Sequence, residues 1–177
     1  MRLDYIVVGK ELFWPINPRD DMQLPSWPNL TTVYLQYGIT TPSGEWLFER
    51  DPAEDEIEPN VDREDCLPEH KRRAPEDRVL NAFRMKASSE LMNEWYMFSG
   101  RAAQRMPRLK FMSIRTSEAH AYHSFDYKVD GTTAKATWDA KSLFTPDGPV
   151  LQAWRDAAFQ HTGVELEVQL THWENPV

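Results

Sequence analysis

The sequence predicts a single α/β domain of the mixed α+β kind, in which a mixed β-sheet carries two main helices on one face. Three observations point to this fold class. A helical pattern at 88–106 runs directly into a strand pattern, and an alternating segment at 121–140 contains a hairpin turn. A second helical pattern at 149–163 is followed by a last alternating segment. We expect all 177 residues to form one domain around one core.

The composition limits the kinds of partner that the chain can have. A formal charge of −8 and a pI near 5.1 repel a phosphate backbone, so we expect no nucleic-acid partner. No apolar run approaches the length of a membrane span, and the N-terminus lacks the features of a signal peptide, so we expect no membrane partner either. Cys66 is the single cysteine. It cannot form an intrachain disulfide, which indicates an intracellular protein of the cytoplasm or nucleus.

The stretch from Ser88 to Thr116 predicts a helix, a tight corner and a buried strand. Ser88 or Ser89 can cap the helix, and Pro107 ends it near Met106 because proline cannot continue the hydrogen-bond ladder. A strand then begins near Leu109. The apolar stripe of the helix has spacings of three and four and consists of Leu91, Met92, Trp95, Phe98, Ala102, Ala103 and Met106.

The N-terminal part of the chain supplies two more strands. Leu3 to Val8 is rich in β-branched and aromatic residues, and a second strand begins near Thr31. Between them, the proline-rich stretch from Glu11 to Trp27 predicts an extended, turn-rich connection.

The sequences WPNLTTVYL and MPRLKFMSI share one pattern at a separation of about 79 residues. Each has an apolar residue, a proline, a polar residue and a leucine, and each then enters a strand. Leucine-rich-repeat-like solenoids deliver successive strands to one sheet through such corners. The pattern therefore suggests a leucine-rich-repeat-like plan, and a coincidence of strand starts in an ordinary α+β domain remains the alternative.

Residues 51–77 are rich in Asp, Glu, Pro, Lys and Arg, and we expect them to form a charged surface excursion. It is either an interaction arm or a solvated insertion. The following Val79 to Met85 is either a short strand or the approach to the helix.

The C-terminal half predicts a hairpin, a helix and a strand. Strands beginning near Ala121 and Thr132 meet at the turn Asp130-Gly131. A helix begins at Pro149 and ends at Gly163. The last strand begins near Val164, and its alternation predicts four inward side chains, which are Val164, Leu166, Val168 and Leu170.

No motif fixes a chemistry, because phosphate loops, serine elbows and zinc spacings are absent from the sequence. If the protein is an enzyme, its catalytic residues are expected among the titratable groups near the hairpin, namely His123, Asp139, His120 and Asp126. His120 and His123 lie on opposite faces of a strand, so we expect no metal site, and nothing implies a cofactor. Aromatic residues that could line a binding groove are Trp14, Trp27, Trp46 and Tyr122.

Four features of the sequence carry a family resemblance. They are the segments WPNLTTVYLQYGITTPSGEWLFERDP and AAQRMPRLKFMSI, the spacing from Trp154 to Gly163, and the HWE at His172 to Glu174. From about Glu11 onward, the chain resembles the C-terminal, leucine-rich-repeat-like region of uncharacterised filamentous-fungal F-box-type proteins. The resemblance implies a repeat-derived fold and a partner-binding face, and it carries over no catalytic residue. The F-box, which would recruit a ubiquitin ligase, is missing from this sequence.

Our leading functional hypothesis is therefore a non-enzymatic protein-interaction module that binds a protein partner or self-associates. The alternative is a protein that binds an apolar small molecule, or a cofactor-independent isomerase or cyclase with an aromatic-lined pocket.

Overall fold

The computed structural model describes residues 1–13, 24–50, 84–116, 121–140 and 144–172. The mixed α+β class is confirmed. The helices are α1, Ser89–Ala103, and α2, Gly148–Thr162, and a short 3-10 turn covers Lys10–Leu12. The strands are β1 Arg2–Ile6, β2 Thr32–Tyr37, β3 Phe48–Arg50, β4 Arg84–Ala87, β5 Phe111–Thr116, β6 His123–Asp130, β7 Thr133–Ala140 and β8 Leu166–His172.

All six strands expected in the sheet belong to one six-stranded mixed sheet with the order β1-β2-β5-β6-β7-β8. The β1/β2, β2/β5 and β7/β8 pairs are parallel, whereas β5/β6 and β6/β7 are antiparallel. The hairpin turn at Asp130-Gly131 is confirmed, with a positive φ at the glycine. A separate antiparallel pair joins β3 to β4. Of the lead-in from Val79 to Met85, only Arg84 and Met85 lie within the described residues, and both belong to β4. The sequence pattern did not identify β3.

The two similar corners lie side by side. Their strands β2 and β5 are parallel and in continuous register, and every pair of partners, beginning with Thr32 and Phe111, is 79 positions apart. Each corner contains the same backbone hydrogen bond, from Leu30 N to Trp27 O in one and from Leu109 N to Met106 O in the other. The repeated sequence pattern therefore corresponds to a repeated local structure.

Both helices cover the same face of the sheet, as predicted. On α1, Ser88 is the N-cap residue, although its side chain makes no capping hydrogen bond, and the helix ends at Ala103, slightly before the predicted Met106. Asp147 caps α2 by accepting a hydrogen bond from Val150 N, and Gly163 closes the helix at φ 75°.

The two helices pack closely at Gly100. A Cβ atom at this position would lie 3.0 Å from the Cβ atom of Ala153, so the absence of a side chain allows the helix backbones to approach. Beneath them, the largest buried rings belong to Tyr37, Tyr96, Phe125, Tyr127, Trp138 and Trp154. The rings of Phe125 and Trp154 lie 4.5 Å apart, which joins α2 directly to the centre of the sheet.

One prediction about the last strand is wrong. Val164, Val168 and Leu170 were expected to point into the core, but they are 42 %, 38 % and 44 % exposed. Only Leu166 packs partly against the core. Val168 and Leu170 share a face with the buried Ala136 and Trp138 of β7, yet β8 lies at the edge of the sheet, where this face is poorly covered.

Candidate functional site

His123 lies in the aromatic core and not at a surface site. Its side chain is 1 % exposed, and its Nδ1 atom is 3.0 Å from the hydroxyl of Tyr96. The rings of Phe48 and Phe144 meet the imidazole edge-on at centroid distances of 6.2 and 5.1 Å. Burial lowers the pKa of His123 to about 3, so the ring is neutral at physiological pH. Its Nε2 atom has no partner among the described residues.

Tyr122, Asp126 and Asp139 do come together, but on the opposite face of the sheet, which neither helix covers. The hydroxyl of Tyr122 donates a hydrogen bond to Asp139 Oδ2 at 2.9 Å. Arg115 forms an ion pair with Asp126 at 3.1 Å and donates from Nε to Ser113 Oγ at 2.9 Å. We call this group of five residues the polar face.

The groups of the polar face are linked by hydrogen bonds and an ion pair. Burial raises the pKa of Tyr122, the nearby Ser124 hydroxyl opposes this shift, and the Asp139 carboxylate adds to it, so the phenol stays protonated. His123 cannot complete a catalytic group with Asp126 and Asp139, because its side chain points to the other side of β6. His120 lies outside the described residues.

Of the tryptophans predicted to line a groove, the structure describes Trp27 and Trp46, and neither lines either of the two cavities described below. Trp27 is half-buried at the first corner, and its backbone N–H donates to Arg105 O. Trp46 is half-buried next to an isolated backbone bridge with Thr40. Trp14 lies outside the described residues, as does the charged segment at 51–77.

Two of the cavities that the described residues line lie elsewhere. One, of about 410 Å³, is bordered by Trp95, and the other, of about 350 Å³, lies beside Tyr34 and Arg115 at the margin of the polar face. Neither is lined by His123 or Asp139. Within the described ranges, no three His, Cys, Asp or Glu side chains are grouped as metal ligands, and neither helix is long and apolar enough to cross a membrane.

The sequence reasoning missed the edge formed by β8, which we call the β8 edge and define as the outer side of Leu166–His172. No described strand pairs with it. It presents the exposed Val168 and Leu170, and α2, which packs on β7 and β8, exposes 66 % of Phe159. The sequence contained one signal for an exposed apolar side chain near this region, because Phe159 does not belong to the apolar stripe of α2. One exposed ring is common on protein surfaces, and only a contiguous group of exposed apolar side chains suggests an interaction surface.

Comparison with known proteins gives one match. The profile of a family of unknown function, DUF6546, matches residues 80–176, which is more than half of the chain. This range includes both helices and strands β4 to β8, whereas β1 to β3 precede it. No curated protein and no solved structure matches the chain.

Proposed function

This chain belongs to DUF6546, a family of unknown function, and we propose that it is a non-enzymatic protein-interaction module. The observation that carries the proposal is the β8 edge. A sheet edge offers backbone N–H and C=O groups to a further strand, and proteins usually protect such edges with charges, bulges or a covering element. At the β8 edge, Val168 and Leu170 are exposed beside these backbone groups. The edge is therefore suited to receive a strand from a partner.

We identify the occupant as an extended segment of another protein in which apolar and basic residues alternate. Its apolar side chains would pack against Val168 and Leu170. On the other face of the strand lies Glu167, whose carboxylate forms an ion pair with Lys135 at 3.0 Å, and Glu165 precedes the strand. Glu165, and the part of the Glu167 charge that Lys135 does not neutralise, favour basic residues in the partner. A second copy of this chain fits less well, since each copy carries a net charge of −8.

The opposite edge of the sheet makes a useful comparison. Strand β1 carries the exposed charges of Arg2 and Asp4, which form an ion pair at 2.9 Å. Such charges on an edge strand disfavour pairing with another strand. Strand β8 also carries a charged residue, Glu167, so the two ends of the sheet differ chiefly in the exposed Val168 and Leu170 of β8.

The finer part of the proposal is that the module is the repeat-derived body of a fungal F-box-type protein. The two stacked corners before β2 and β5 support it, because a repeated corner that delivers parallel strands is the plan of a solenoid. In such proteins the body presents a partner-binding face, and the F-box recruits the ligase. An intracellular location in the cytoplasm or nucleus is proposed from the single Cys66.

The experiment is a selection of random ten-residue peptides on the immobilised chain, with Val168→Asp as the variant and Gln169→Asp as its matched control. Both positions are exposed on β8 but lie on opposite faces. We expect peptides with alternating apolar and basic residues to be enriched on the native chain and on the control. Val168→Asp should lose this enrichment, because a charge replaces the apolar contact.

The outcomes separate the possible occupants. Peptides enriched equally on the native chain and on Val168→Asp would contradict the use of this edge, and so would a selection without any enrichment. Sedimentation of the same samples provides a second measurement. A dimer of the native chain that dissociates in Val168→Asp would assign the edge to a second copy and would refute the proposed partner.

A second candidate is a protein that binds a small molecule, and the cavity bordered by Trp95 favours it. The isomerase or cyclase form of this candidate gains no support from the described residues. His123 is packed against aromatic rings, and Asp126 and Asp139 lie on the other face of the sheet. The test of an enzyme would be turnover that His123→Ala abolishes while the melting temperature changes by only a few degrees.

A further inference from the structure

The cavity of about 350 Å³ lies on the face of the sheet that neither helix covers, and its size is within the range of about 300–1,000 Å³ that is usual for small-molecule sites. Its lining comes from β1, β2 and β5, which are neighbours in the sheet. In the register of these strands, Arg2 lies beside Tyr34, and Tyr34 lies beside Ser113. Arg115 lies two positions further along β5, beside Gln36. Since alternate residues of a strand share a face, these five side chains project from the same uncovered face.

Two arginines with unused hydrogen-bond donors line this cavity. Arg2 donates only from Nε, to Asp4 at 2.9 Å, so its two terminal nitrogens have no partner among the described residues. Arg115 donates from Nε to Ser113 and from Nη2 to Asp126, which leaves Nη1 without a partner in the same part of the chain. These contacts orient the two guanidinium groups. Their remaining N–H groups can form the paired hydrogen bonds that a carboxylate accepts.

The charges around the cavity favour a single negative group. Of the charged residues in the lining that the structure describes, Arg2 and Arg115 are cationic and Asp4 is acidic. Asp126, which pairs with Arg115, does not line the cavity. Ion pairs between partly exposed groups are weak, so a carboxylate that contacts both arginines can compete with the two aspartates. The net charge of −8 opposes this only weakly, because charges further away than about 8 Å are largely screened at physiological salt.

Tyr34 provides a wall of the cavity that suits an aromatic ring. Its side chain is 45 % exposed, and its ring packs against Phe111 at a centroid distance of 5.3 Å. The tyrosine ring is therefore supported from one side and remains accessible to another ring. Arg2 and Tyr34 both precede the range 80–176 that the family profile matches, so membership of the family does not account for this cavity.

We propose that this cavity binds a small aromatic carboxylate. The carboxylate accepts hydrogen bonds from Arg115 and Arg2, and the ring packs against Tyr34. The site is separate from the proposed interaction surface, because it lies at the β1 end of the sheet and the β8 edge lies at the other end. A failure to bind a small molecule here would therefore leave the proposal for the β8 edge unaffected.

The test uses phenylacetate and its neutral isostere phenylacetamide. Binding is followed by NMR through the Nε–H signal of Arg115, which is assigned by its loss in Arg115→Lys. We expect phenylacetate to shift this signal saturably, and phenylacetamide to bind about tenfold more weakly because it carries no negative charge. Arg2→Gln should weaken phenylacetate about two- to fivefold and leave phenylacetamide unchanged. Tyr34→Ala should weaken both ligands, because it removes the wall that the ring contacts.

Arg155→Gln is the matched control, because it removes the same charge from an exposed position on α2 that does not line the cavity. The proposal is overturned if phenylacetate leaves the Arg115 signal unchanged, if phenylacetate and phenylacetamide bind equally, or if the two glutamine variants have equal effects. N-acetyl-glycyl-phenylalanine tests a protein C-terminus as the other source of an aromatic carboxylate. If this peptide binds more tightly than phenylacetate, the cavity receives the chain end of a protein partner and the small-molecule proposal fails.

Discussion

The burial of His123 predicts that the protein is less stable in mild acid than at neutral pH. The part of this loss that is due to His123 can be measured with one substitution. The pKa of this side chain is about 3 in the folded protein and 6.5 when it is exposed. Because burial lowers the pKa in the folded protein, the contribution of neutral His123 to stability is fully present above pH 6.5. It is lost as the pH falls towards 3. In this window the unfolded chain binds a proton that the folded protein does not.

The magnitude follows from these two pKa values. Each pH unit between them corresponds to about 1.4 kcal/mol, so lowering the pH from 7.5 to 4.5 should reduce the free energy of unfolding by about 2.7 kcal/mol through His123 alone. The measurement is urea unfolding of the native chain and of His123→Phe at both pH values. Phenylalanine keeps an aromatic ring among Tyr96, Phe48 and Phe144 but cannot titrate.

The variant will be less stable than the native chain at neutral pH, because the Tyr96 hydroxyl loses its partner at about 1–3 kcal/mol. This loss does not affect the comparison, which uses only the change with pH. His161 and the other titratable groups are present in both proteins, so their contributions cancel. If the native chain and the variant lose the same free energy between pH 7.5 and 4.5, the reasoning from burial is refuted.

Three further substitutions test the local structure by thermal or urea unfolding. Asp147→Ala removes the cap of α2 at Val150 N and should destabilise the protein by about 1 kcal/mol. Gly163→Ala places a side chain at φ 75° and should cost about 1 kcal/mol. Tyr127→Phe removes the hydroxyl that lies 2.8 Å from Nδ1 of His161, which leaves this nitrogen unpaired and should cost about 1–3 kcal/mol.

Each of these substitutions has a matched control. Asp156→Ala removes an exposed aspartate within α2, and Gly148→Ala adds a methyl group into open space at an ordinary φ. Tyr34→Phe removes the hydroxyl of a tyrosine that is 45 % exposed. All three controls should change the free energy of unfolding by less than about 0.5 kcal/mol. A test substitution that is no more harmful than its control would contradict the role assigned to that residue.

Local patterns predicted the elements of this fold because the signals are themselves local. Helix α2 has Asp147 as its cap, Pro149 in its first turn and a left-handed glycine at its end, and each feature follows from one or two residues. The repeated corner was also visible, since it needs only a proline and a leucine at fixed spacing. The continuous register between β2 and β5 follows once the two corners lie side by side.

The missing parts of the prediction depend on non-local contacts. Alternation showed that one face of β8 is apolar, but it could not show that α2 leaves this face poorly covered at Val168 and Leu170. Strand β3 was also missed, because it is only three residues long and pairs with a strand far along the chain. For His123, alternation correctly separated its face from that of Asp126, and only packing showed that the histidine face is the core.

The pairing of β3 with β4 also has a consequence for how the length of this protein can change. The backbone leaves the small sheet at Arg50 and returns at Arg84, its direct partner in the ladder. Changes of length between Arg50 and Arg84 that keep this register should leave both ends of the ladder in place, so we expect relatives of different length to differ here.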